Sequence, residues 1–172
     1  MTVADTGRGG VMEIFKIKEL VKQMCNNFGI EEKFMQALIT TESDWNQWCV
    51  RYEPSYKWIV EGPDTGGIKT TPITESEMQK YSYGLCQIMG NWYYDMGFRG
   101  FCTELLDPRL NILIATKIIK KHMLDGIESV DELYSVYNAG SLRLKEDGTF
   151  CNQKNVDNFL KNYNKIGVSC SE

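Results

Sequence analysis

One carboxylate in this chain is placed as a catalytic acid would be. In the stretch Phe34-Met-Gln-Ala-Leu-Ile-Thr-Thr-Glu-Ser-Asp-Trp-Asn46, apolar residues fall at Phe34, Met35, Leu38 and Ile39. That is the spacing of a helix that buries one face. Glu42 follows Ile39 by three residues and Leu38 by four, so it continues the apolar face. Burying an unpaired charge is costly. An inward Glu therefore finds a donor or keeps its proton at a raised pKa, and a raised pKa suits a general acid. The competing reading is a Glu at a helix end that simply reaches solvent.

Other chemistries are poorly supplied. The six cysteines are Cys25, Cys49, Cys86, Cys102, Cys151 and Cys170, none in a Cys-x-x-Cys pair, and the single histidine is His122. A zinc site is not expected from such a set. Six cysteines allow three disulfides, but a chain of this size folds without staples, so free buried thiols are an equal or better expectation. His122 follows two lysines on a helix and reads as a solvated surface residue.

The elements that must position Glu42 are mostly helical. Residues 13–28 carry apolar side chains at Ile14, Ile17, Leu20, Val21 and Met24, with Gly29 as a C-terminal cap. Between 53 and 74 the chain changes character, with Pro54, Gly62, Pro63, Gly66, Gly67 and Pro72 breaking any long helix. The β-branched residues Ile68, Thr70, Thr71 and Ile73 permit a small β-hairpin turning at Asp64-Thr-Gly-Gly67. A loop of this length is often functional, and its bland alternative is a tolerated surface insertion. Thr74 and Glu77 read as a capping box, and the aromatic segment around Trp92 as a helix to about Met96. Asp107 and Pro108 open a helix that runs to Leu124, nearly apolar between 110 and 119 and so the central buried one. Ser129 and Glu132 open another that ends at Asn138-Ala-Gly140, and a last helix covers about 155–165. The fold class is mainly α in one domain, 13–172, preceded by a flexible leader, 1–12.

The bulk numbers exclude whole classes. At 172 residues the chain builds one core. A net charge of −4 argues against a general nucleic-acid binder, which needs a basic surface. No run approaches the roughly 18 apolar residues of a membrane span. The first ten residues lack the basic region and apolar core of a Sec signal peptide. A monomer is the expectation.

Four segments then stand in order: Ile39-Thr-Thr-Glu-Ser43, Gly84-Leu-Cys-Gln-Ile-Met89, Leu106-Asp-Pro-Arg-Leu-Asn-Ile112 and Val136-Tyr-Asn-Ala-Gly140. Together they resemble the catalytic domain of soluble lytic transglycosylases, related to goose-type lysozyme, over about residues 30–165. The resemblance implies a lysozyme-like α fold that cleaves the β-1,4 bond between N-acetylmuramic acid and N-acetylglucosamine in peptidoglycan, with no cofactor. It makes Glu42 the catalytic acid and Tyr137 the tyrosine that faces it. It places Gly84, Gln87 and Met89 along the sugar groove, Asn138 as the holder of its loop, and Ser82 near the substrate N-acetyl group. In those roles Gly84 would let a sugar approach the backbone. Gln87 would offer donors and an acceptor to hydroxyls and acetamides, and the Tyr137 hydroxyl would reach Glu42 or the anomeric centre. The bland alternatives are a cap, a surface amide and core packing.

The sequence departs from the family pattern in three places. Cys86 stands for the usual Met, residues 53–80 are inserted, and Asn155 lies where relatives often carry a second Glu. The resemblance implies a lytic transglycosylase in which Glu42 is the single acid and base. A muramidase would add a second carboxylate, for which Asp44, Glu53, Glu61, Asp64, Glu75 and Glu77 are candidates. A reading from another class is an idle wall-binding or virion structural module, against which the retained Glu42 argues. Action on the bacterial wall, periplasmic or extracellular, follows from the resemblance, with a phage or mobile-element origin favoured and a virion component or endolysin among the settings that fit. The insertion is expected to form a flap beside the groove, offering Tyr56 and Trp58 to sugar rings.

Overall fold

The computed structural model describes residues 12–167. The expected leader, but for Met12, and Cys170 lie outside them. Among the described residues seven α-helices carry the fold. The first, α1 (Ile14–Phe28), ends at Gly29, whose left-handed backbone (φ 64°) lets its N–H bond the Cys25 carbonyl. Next, α2 (Glu32–Glu42) buries Phe34, Met35, Ala37, Leu38 and Ile39 and brings Glu42 to its C-terminal end. Asp107 opens α5 (Pro108–Leu124), accepting from the N–H groups of Arg109 and Leu110. As the run of apolar residues predicts, α5 is the central helix, with Ile112, Ile114, Ala115 and Ile119 fully buried. Two further helices, α6 (Val130–Ala139) and α7 (Gln153–Lys165), close the core against α2 and α5. The Phe159 ring of α7 meets Phe34 at 5.1 Å and lies flat on Tyr134 at 4.2 Å.

The small sheet has three antiparallel strands: β1 (Val50–Tyr52), β2 (Tyr81–Tyr83) and β3 (Ile88–Met89). Arg51 pairs with Ser82, and Ser82 with Met89. The hairpin expected within 53–74 is absent, and the strands instead flank that segment. Its polar anchors lie far along the chain, and its β-branched residues have no facing partner. The short helix that ends the insertion, α3 (Pro72–Met78), is capped by Thr71, whose hydroxyl accepts from the Thr74 N–H. Thr71 displaces the expected Thr74 because Pro72 fits the first helical position. The aromatic segment forms α4 (Gly90–Asp95).

Two further expectations change. His122 is 8% exposed rather than solvated. Burial, then the Lys121 charge, lowers its pKa and favours the neutral ring. The last helix starts two residues earlier than the sequence suggests. Among the described residues the five cysteines are all free thiols.

Candidate active site

The chain leaves α2 abruptly. Asp44 and Trp45 both take positive φ, 49° and 65°, so the backbone turns away and Glu42 stays at the helix end. The Ser43 hydroxyl donates to the Leu85 carbonyl at 2.8 Å, pinning that end to the 84–87 turn. Glu42 opens on a cleft of about 850 Å³ that it shares with Arg51, Tyr137 and Asn138.

The carboxylate is half-buried, and its pKa is raised above the ordinary glutamate value. Desolvation is the largest cause. Three groups pull the other way: the Tyr134 hydroxyl, which donates to Oε1 at 3.0 Å, the Arg51 charge and the Asn138 amide. The Glu53 charge pushes the pKa up again. Burial and the Glu42 charge hold the Tyr134 hydroxyl well above its usual pKa, so it stays a donor. Asn138 Oδ1 accepts from Asn152 at 3.0 Å and Asn155 at 2.8 Å, which turns its NH₂ toward Glu42. Asn155 thus occupies the cleft wall as an amide that orients another amide.

The residues marked by sequence gather here, with several duties changed. The hydroxyl on Glu42 belongs to Tyr134, not Tyr137. Tyr137 lines the cleft but donates to the Cys86 carbonyl at 2.7 Å. Gln87 sits at φ 49° with its amide engaged inward. Its Nε2 donates to the carbonyls of Cys49 and Gly84, at 3.1 and 2.9 Å, and its Oε1 accepts from Ser82 at 2.8 Å. Ser82, 1% exposed, therefore presents its hydroxyl to Gln87. Gly84 is buried and off the cleft wall. A Cβ there would meet Asn111 Nδ2 and the Leu105 carbonyl at 2.6 Å, and φ is 72°, so the close approach it permits is of protein, not sugar. Met89 lines the cleft, half-buried at the end of β3.

Sequence reasoning missed Tyr134, Arg51 and Asn111. Tyr134 lies one helical turn before Tyr137 and Asn138, so the period of α6 carries the signal. Arg51 lines the cleft, and its Nε binds Glu53 Oε1 at 2.5 Å. Asn111, fully buried, belongs to the Asp-Pro-x-x-Asn segment. Its Nδ2 donates to the carbonyls of Tyr83 and Leu105, both at 2.8 Å, and its Oδ1 accepts from the Cys86 N–H at 2.8 Å. Cys86 is buried behind Glu42; desolvation first, then that charge, raises its pKa, so it remains a thiol.

Of the candidate second carboxylates, Glu53 alone lines the cleft. Glu75 is buried against the Tyr94 hydroxyl, Glu77 binds Lys80, and Asp64 binds Arg99. Asp95, unmarked by sequence, also lines it.

Residues 19–160 match the transglycosylase SLT domain model. The chain belongs to that family. No curated protein matches it. SLT domains act on peptidoglycan, with transglycosylase or lysozyme-like activity. The mainly α architecture with its small antiparallel sheet is that of an SLT domain. Among the described residues of this SLT domain, no helix is long and apolar enough to cross a membrane.

Proposed function

We propose that the protein is a peptidoglycan lytic transglycosylase in which Glu42 serves in turn as acid and base. The observation that carries this reading is one half-buried carboxylate of raised pKa, open to the cleft and held by the Tyr134 hydroxyl. A pKa displaced toward neutrality suits a group that must first give a proton and then take one. Glu42 donates to the glycosidic oxygen as the C1–O bond of N-acetylmuramic acid breaks. The substrate acetamide oxygen supports the anomeric cation, the arrangement that lets a glycosidase work with one carboxylate. The Glu42 carboxylate then removes the proton of the muramyl 6-hydroxyl, whose oxygen bonds to C1. The products are a free 4-hydroxyl and a 1,6-anhydro ring, no water is consumed, and Glu42 regains its proton.

Tyr134 fixes one carboxylate oxygen, and Asn138 and Arg51 moderate the charge that forms. Tyr137, through the Cys86 carbonyl, supports the turn against which Ser43 anchors the end of α2. A muramidase is the second reading, favoured by Glu53 on the cleft wall, where it could direct a water. The engagement of Glu53 by Arg51 supports the first.

Mass spectrometry of products from purified peptidoglycan separates the two. Anhydromuropeptides are expected. Reducing ends would establish the muramidase, and no product from folded protein would leave a binding module. Glu42→Gln is expected to lower turnover by about 10²–10⁴ while the fold persists. A folded variant with more than about a tenth of wild-type activity would displace Glu42 from the role.

A further inference from the structure

A lone exposed aromatic on a protein surface needs no explanation. Trp58 differs in how it is held. It is 68% exposed and lines the cleft that contains Glu42. Two residues before it, the Tyr56 hydroxyl donates to Asn91 Oδ1 at 2.6 Å. The Tyr56 ring meets the indole edge-on, with centroids 5.4 Å apart. Two residues after it, the N–H and C=O of Val60 both bond the Gln79 side chain, at 2.8 and 3.0 Å. Gln79, at the far end of the same insertion, is fully buried, so this anchor is set in the protein interior. The segment has too much Gly and Pro to build a core of its own, yet the chain is anchored on both sides of the indole and the Tyr56 ring braces one edge of it.

A rigid aromatic face contributes contact area with little ordering cost on binding. The faces of a β-1,4-linked hexosamine match such a surface. Its ring substituents are equatorial, which leaves C–H bonds on the ring faces to pack on an indole. We propose that Trp58 is a stacking platform for one sugar ring of the glycan strand, and that the insertion thereby sets affinity for the polysaccharide. The four motifs that resemble the family contain no counterpart to it. The proposal rests on the reading of this cleft as a glycan-cleaving site.

The test measures binding without cleavage. In the Glu42→Gln protein, affinity for soluble glycan strands stripped of their peptides is measured by calorimetry, with and without Trp58→Ala. The expected result is a loss of about tenfold, the size of one favourable aromatic contact. Trp58→Phe should recover most of it, and melting temperatures should stay level because the indole is exposed. Equal binding by Trp58→Ala and its parent overturns the platform while leaving the activity of Glu42 untouched. Equal losses in Trp58→Phe and Trp58→Ala also overturn it, since a flat face would not be what matters. Failure of the parent to bind, with no cleavage by the wild-type protein, overturns the glycan-cleaving reading and the platform with it.

Discussion

Two stretches of the cleft wall differ in what they leave for a ligand. The stretch built from Ser82, Gln87, Tyr137 and Asn138 has its polar groups bonded to protein partners. The stretch from the insertion offers an exposed indole, and β1 beside it offers the exposed side chain of Arg51. One is a frame that holds Glu42, and the other is a surface that can meet substrate. Apart from Glu42 and Met89, the residues with the most recognisable pattern are therefore largely engaged by the protein itself.

The largest effect that would sharpen this contrast is on stability. Asn111→Ala removes three buried hydrogen bonds and leaves the Cys86 N–H and two carbonyls without partners. Each orphaned group costs about 1–3 kcal/mol, so a loss of about 3–5 kcal/mol is expected in denaturant unfolding. A loss under about 1 kcal/mol would mean that water replaces Asn111 and that the frame is not a closed network.

Next in size is a pair of tyrosines. Tyr134→Phe should lower turnover by about tenfold, the worth of one hydrogen bond to a charged group in the reaction. It also removes a bond that lowers the Glu42 pKa, so the alkaline limb of the kcat/KM profile should move to higher pH. Tyr137→Phe should instead reduce stability by about 1 kcal/mol through the Cys86 carbonyl, with the smaller effect on rate. The reverse ranking in steady-state kinetics would return the catalytic duty to Tyr137.

The smallest effect concerns Glu42 itself. Its folded pKa lies above its unfolded value, so the native state binds more protons between the two. Stability from this group is present below the unfolded pKa, about 4.3, and is lost as pH rises through the folded one. Glu42→Gln should therefore melt higher than wild type at neutral pH, with the gap closing in acid. A gap that does not depend on pH would mean that the carboxylate is not held against its charge.

Much of the fold was legible because its signals are local. Asp107 with Pro108, Gly29 and Gly140 mark helix ends by backbone chemistry, and α5 announces burial by its composition. Helical period places Glu42 at the end of the apolar face of α2, but its reading as the acid needed the three later segments as well. The insertion was not, because its shape depends on a contact between its own two ends, Val60 with Gln79, and on Asn91 and Arg99 beyond it, pairings that no local pattern announces. Asp64-Thr-Gly-Gly67 has turn chemistry, but a turn makes a hairpin only when facing strands agree. Gly84 and Gln87 stand out in the sequence, and in the structure Gly84 packs against Asn111 and both take a left-handed backbone, which residue type alone does not distinguish from sugar contact.

The clamp between Gln79 and Val60 has a consequence for motion. Gln79 caps the end of α3, and that helix is tied to α4 by Glu75 and the Tyr94 hydroxyl. The segment carrying Trp58 cannot lift without parting a buried amide from both backbone groups of Val60, which lie in two successive peptide units. Its amide protons near Val60 should then exchange with solvent on the schedule of α3 rather than on that of a surface loop. What looks irregular along the chain is, in its opening behaviour, part of a helix.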